Sequence, residues 1–176
     1  MVIRHRKSNR LRNFDYSSSG YYFVTICVHN RQCVFGNIQN QKMILNEYGE
    51  MAKQYWLEIP KHFPNVELNE FMVMPNHVHG IIIIRNSQQC VGNKNFCSLQ
   101  NEQLPWQTKL SKSLSSIIRG YKIGITEYCH QNNFQIFNWQ KSFYDHIIRN
   151  EYSLFRIRQY IKDNPANWDN DRNNLF

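Results

Sequence analysis

Residues 66–85, VELNEFMVMPNHVHGIIIIR, decide the fold. Two runs rich in apolar and β-branched residues, Val66 to Met74 and His77 to Arg85, flank the turn signal Pro75-Asn76, so the chain doubles back and pairs with itself as a hairpin. Upstream, Asn46 is placed to cap a helix that runs to about Leu57, where Ile59-Pro60 stops it. Before that helix, Tyr21 to Val28 is aromatic and β-branched and follows the Ser17-Ser18-Ser19-Gly20 turn, which makes it a strand. Downstream, residues 86–107 are polar and aperiodic and read as a loop insertion rather than a domain boundary. From Ser111 the spacing of Leu114, Ile117, Ile118, Tyr121 and Ile125 is helical. Phe134 to Trp139 reads as a further strand. Tyr152 to Asp163 reads as a last helix ended by Asn164-Pro165, because a residue before proline avoids the α region.

The order β-α-β-β-α-β followed by a helix is that of a split βαβ, ferredoxin-like α+β fold: an antiparallel sheet with helices on one face. A chain of 176 residues with 41% hydrophobic content can bury one core without disulfide or metal staples. We therefore expect one domain, residues 21–176, preceded by a basic arm at residues 1–20. No repeat is visible.

The formal net charge of +8 suits a polyanionic partner, since each phosphate neutralised releases counterions. Arg4, Arg6, Lys7, Arg10 and Arg12 stand at the N-terminus with no acid among them. Arg119 and Lys122 make the amphipathic helix basic, so both groups are candidate DNA contacts. No stretch supplies the roughly 18 consecutive apolar residues of a membrane span, and the first ten residues lack the apolar core of a secretory signal. The expected location is the cytoplasm, at the nucleoid. Cys27, Cys33, Cys90, Cys97 and Cys129 have no C-x-x-C spacing and read as reduced thiols, with Cys27 a small core residue.

Alternation along a strand puts His77 and His79 on the same face with Val78 on the other, so two imidazoles can converge on one ion. Two ordinary strand histidines would satisfy the same pattern. In the last helix Tyr160 and Asn164 lie four apart and share a face, beside an apolar stripe of Leu154, Ile157 and Ile161 that should lie against the sheet. That arrangement brings a phenol and an amide oxygen to the edge of the buried face, although a packed aromatic and a capping asparagine would look alike. Tyr144 is a competing nucleophile, but Ile148 stands where a metal-capable amide would be needed. The other readings are a non-catalytic nucleic-acid-binding ferredoxin-like module and a zinc hydrolase, for which Glu70 is the one carboxylate close to His77 in sequence.

Several ordered motifs together are more specific than the histidine pair. They comprise Asp15-Tyr16, Tyr21-Tyr22-Phe23-Val24-Thr25, residues 71–80 (FMVMPNHVHG), Ser115 to Lys122, Trp139 to Arg149, and Tyr160-Ile161-Lys162-Asp163-Asn164-Pro165. In these the chain resembles the REP-associated tyrosine transposases, a branch of the single-tyrosine HUH transposases and nucleases. The resemblance implies that His77 and His79 are the metal-binding pair, Asn164 the third ligand and Tyr160 the nucleophile. It implies a Mg²⁺ or Mn²⁺ cofactor, a 5′-phosphotyrosine intermediate, and single-stranded, hairpin-forming repeats as substrate, acted on by a monomer.

Overall fold

The computed structural model describes Leu11, residues 14–85 and residues 112–174. The proposed arm cations Arg4, Arg6, Lys7, Arg10 and Arg12, and the insertion at 86–107, lie outside the described residues.

The sheet has four antiparallel strands in the order β4-β5-β1-β6: β1 (Gly20–Cys27), β4 (Val66–Met74), β5 (His77–Ile84) and β6 (Tyr144–Ile148). The β4–β5 hairpin expected around Pro75-Asn76 is present, with Met74 opposite His77 and Val66 opposite Ile84. The helices are α1 (Glu47–His62), α2 (Leu114–Gln131) and α3 (Glu151–Asp163). Asn46, Ser113 and Asn150 each accept a backbone N–H of the first turn and so cap them. This is the ferredoxin-like arrangement.

Only α1 and α2 lie on one face, where Ala52, Trp56, Ile59, Ile117 and Tyr121 pack against Tyr22, Val24, Val78 and Ile82. The expectation of helices on one face is corrected for α3. Its Leu154 and Ile161 cover Phe23, Ile81, Ile83 and Ile148 on the opposite face. The cause is legible in β5, whose eight residues are all buried. A central strand apolar on both sides requires a cover on both.

Three smaller expectations also change. Helix α1 continues past Leu57 to His62 with Pro60 inside it. The proline sits in the last turn, where losing one N–H is offset by the buried anchor Ile59. Residues 134–139 are turns, with Trp139 bridging only to Val28, and the fourth strand is β6 instead. Asn164 ends the helix but keeps helical angles (φ −58°, ψ −41°) despite preceding Pro165. A two-stranded hairpin, β2 (Gly36–Gln39) and β3 (Lys42–Leu45), stands apart from the main sheet. No helix among the described residues is long and apolar enough to cross a membrane.

Candidate active site

On the α3 face of β5, His77 and His79 stand next to one another with ring centroids 5.0 Å apart, and neither is exposed to solvent. Their register partners on β1 are Cys27 and Thr25. The ring of His79 lies 5.5 Å from that of Tyr160, and Phe23 is 6.0 Å from each of these two rings. Trp168, just beyond α3, stacks on His77 with centroids 6.2 Å apart. The structure therefore brings together the two histidines and the tyrosine that the sequence singled out, from β5 and from α3.

The hydrogen bonds fix which ring nitrogen of His77 is free. The Asn76 Nδ2 donates to the carbonyl oxygens of Asn173 (2.7 Å) and Arg31 (3.2 Å), so its Oδ1 must be the atom that faces His77 Nδ1 at 2.9 Å. An amide oxygen only accepts, so Nδ1 carries the hydrogen and Nε2 keeps a lone pair. That Nε2 is buried and has no hydrogen-bond partner among the described residues, and the same holds for both nitrogens of His79. Burial pushes the His77 pKa down to about 4, partly opposed by the Asp171 carboxylate, and burial with the neighbouring His77 holds His79 well below its ordinary value. Both rings are held neutral, the form in which imidazole is a ligand.

Asn164 is buried, and its Oδ1 also lacks a partner. Four buried polar atoms without partners are costly in a folded protein unless something satisfies them. Imidazole nitrogens with an amide oxygen are donors suited to a divalent transition metal or Mg²⁺. Among the described residues no three His, Cys, Asp or Glu side chains cluster with metal-holding spacing. Glu70, the carboxylate a zinc hydrolase would need, is paired with Lys162 at 3.1 Å.

Tyr160 is 41% exposed, open enough to meet a substrate. Partial burial, with the nearby Asp171 carboxylate, pushes its pKa up to about 12. Tyr144 lies on β6 against Phe23, with the Arg172 guanidinium 5.4 Å from its ring centroid, in a packing role.

A cleft of about 920 Å³ opens beside Thr25 and Cys27 and is lined by Arg31, Arg119, Lys141 and Arg172. Lys122 reaches it too, but its ammonium donates to the carbonyls of Gln140 (2.7 Å) and Ser142 (3.2 Å), and burial lowers its pKa to about 8. These bonds tie it to the 140–142 segment, while Arg119 lines the same cleft. Sequence reasoning missed Arg31, Lys141, Asp171, Arg172 and Asn173. Nothing in their local pattern separates them from solvated polar residues. Asn76 stood inside the quoted motif without a role.

No family model matches the chain. A Haemophilus influenzae protein described as uncharacterized is 45% identical over 172 residues, spanning 97% of this chain and 93% of that one. A second H. influenzae protein, named "Putative REP-associated tyrosine transposase", is 22% identical over 152 residues, 86% of this chain and 73% of its own length. A solved structure of a REP-associated tyrosine transposase bound to a REP hairpin shares the fold, with a TM-score of 0.59 at 20% identity over 90% of this chain and 73% of that one. The chain therefore has the fold of a REP-associated tyrosine transposase and is similar in sequence to a protein given that name. The expected resemblance is thereby upheld. In this chain that fold carries the strand-borne histidine pair to the helix-borne tyrosine.

Proposed function

We propose that this protein is a metal-dependent single-tyrosine nuclease and strand transferase acting on single-stranded, hairpin-forming DNA. The observation that carries the reading is the juxtaposition of two buried, neutral histidines bearing unpaired nitrogens with a partly exposed tyrosine, ring centroids 5.5 Å apart. His77, through Nε2, His79 and the Asn164 oxygen would hold the ion, Mg²⁺ or Mn²⁺. When bound, the ion would supply Lewis-acid relief of charge on the phosphoryl oxygens.

Tyr160 then attacks the scissile phosphorus in line. The phenolic oxygen forms the new P–O bond, the bond to the 3′-oxygen breaks, and that oxygen leaves as a free 3′-OH once it gains a proton. The 5′-phosphotyrosine keeps the bond energy, so attack by a 3′-OH reverses the step and rejoins strands without ATP. With its pKa held near 12, Tyr160 is protonated at neutral pH and must lose its proton as it attacks. Phe23 packs edge-on against the Tyr160 ring and limits its rotation. Trp168 covers His77 and helps to exclude water.

The basic cleft bearing Arg31, Arg119, Lys141 and Arg172 would take the phosphates of the strand. Both histidines, Asn164 and Tyr160 come from one chain, which suits action as a monomer.

The test is incubation of wild type and Tyr160→Phe with labelled single-stranded hairpin DNA and Mn²⁺ or Mg²⁺, scored for a denaturation-resistant protein–DNA adduct. Wild type should form the adduct, and chelator or Tyr160→Phe should abolish it. Tight hairpin binding with no adduct on any hairpin would replace the enzyme by a binding module. An adduct that survives Tyr160→Phe would move the nucleophile to Tyr144.

A further inference from the structure

The amide of Asn164 can coordinate a cation only through its oxygen, yet the side chain is a near-symmetric fork that packing alone orients poorly. The structure resolves this with a carboxylate. The Asn164 Nδ2 donates to Asp171 Oδ2 at 2.6 Å. A carboxylate only accepts, so this contact pins the nitrogen end and leaves Oδ1 as the free, buried lone pair. The Tyr160 hydroxyl donates to the same Oδ2 at 3.4 Å.

Asp171 is itself held. Its Oδ1 accepts the backbone N–H of Asn173 at 2.6 Å, and the carbonyl of Asn173 accepts Asn76 Nδ2 at 2.7 Å. Arg31 Nη1 donates to the carbonyl of Arg172 (2.7 Å) and to Asn173 Oδ1 (2.8 Å). The turn at 171–173 thus reaches the β5 half of the site through Asn76 and the α3 half through Asn164 and Tyr160. In both halves an acceptor that cannot donate fixes an amide, and that amide fixes which lone pair is presented.

We propose that Asp171 is a positioning residue: it turns the Asn164 oxygen toward the metal and locates the Tyr160 hydroxyl, without being a ligand itself. This rests on the nuclease reading only for the step that uses Tyr160; the orientation of Asn164 concerns metal binding alone. Residues that orient a ligand typically cost roughly 10- to 100-fold in metal affinity when replaced. An asparagine at 171 offers a single acceptor oxygen, so it cannot serve both Asn164 Nδ2 and the Asn173 N–H.

The experiment measures Mn²⁺ affinity by electron paramagnetic resonance for wild type, Asp171→Asn, Asn164→Ala and the double variant, with adduct formation and hairpin affinity in chelator measured alongside. Asp171→Ser is a second variant should Asp171→Asn melt abnormally in chelator, and Asp163→Asn, on an exposed carboxylate that among the described residues is bonded only to Gln159, is the neutral control. Asp171→Asn is expected to bind Mn²⁺ roughly 10- to 100-fold more weakly, to keep wild-type hairpin affinity in chelator, and to add nothing in the Asn164→Ala background. Wild-type Mn²⁺ affinity in Asp171→Asn, or an equal loss in the Asn164→Ala background, overturns the proposal even if wild type forms the adduct. If wild type forms no adduct but the Mn²⁺ pattern holds, the nuclease reading fails and the positioning role stands. If wild type binds no Mn²⁺, both fall.

Discussion

Lowering the pH of the metal-free protein from 7 to 5 should weaken the fold, with His77 and His79 each contributing. In the folded chain burial holds the His77 imidazole near pKa 4, against 6.5 for the free side chain. Between those values the unfolded chain binds a proton that the folded chain refuses. The stability is therefore fully present above about pH 6.5 and is lost as pH falls toward 4. One pKa unit is about 1.4 kcal/mol, so the whole His77 effect is roughly 3 kcal/mol, with about 2 kcal/mol of it lost between pH 7 and pH 5. For a domain of this size that corresponds to a fall in Tm of roughly 4 to 8 °C. The assay is urea denaturation in EDTA at both pH values for wild type and His77→Gln. Glutamine does not titrate, so the variant should show a shallower pH dependence by about 2 kcal/mol, while His79, depressed for the same reason, keeps its own share. Equal pH dependence in the two proteins would refute the claim that His77 is held neutral by burial. Saturating Mn²⁺ should steepen the wild-type dependence, because ligand nitrogens must be free of protons to bind it.

Three further outcomes are expected. Gly80 points to the α1 side, where an added Cβ would meet Phe71 Cβ at 2.6 Å and Trp56 Cζ2 at 2.7 Å, inside a stacked Trp56–Phe71 pair. Gly80→Ala should therefore destabilise by about 1 to 3 kcal/mol in thermal melts, with part recovered by Trp56→Phe; a fully stable Gly80→Ala would show that the β5 backbone has slack beside His79. Arg119→Ala should weaken hairpin binding and reduce the slope of log affinity against log salt by about one. Lys122→Met should leave that slope unchanged while lowering the melting temperature.

What the sequence revealed follows from the range of the interactions involved. The β4–β5 hairpin, the shared face of His77 and His79, and the Tyr160–Asn164 pairing are local, with periods of two and four residues, and each is present as read. The β2–β3 hairpin escaped because its turn uses Asn40 and Gln41 at positive φ (49° and 61°) without the glycine that usually marks such a turn. Strand β6 escaped because Asp145 and His146 break its apolar pattern, whereas 134–139, apolar enough for a strand, packs Phe137 between Phe35 and Trp139 instead. The opposite-face position of α3 was available in principle. Tyr22, Val24 and Ile26 on one side of β1 and Phe23, Thr25 and Cys27 on the other are all buried, which already demands two covers.

The turn at 171–173 is a different case. Asn76 meets Asn173 across 97 residues, and Arg31 meets it across 142. Contacts of that span leave no periodic trace, and a tail written WDNDRNN reads as solvated whatever it touches. Yet this turn accounts for the orientation of the donors, because a histidine pair and an amide are ambiguous ligands until something fixes tautomer and flip. Residue types at the right spacing supply the donor atoms. Acceptors that cannot donate, the Asp171 carboxylate and the backbone carbonyls of Arg31 and Asn173, decide which lone pairs face inward. A chain that kept His77, His79, Asn164 and Tyr160 but lost these acceptors would carry the same motif with its site disarmed.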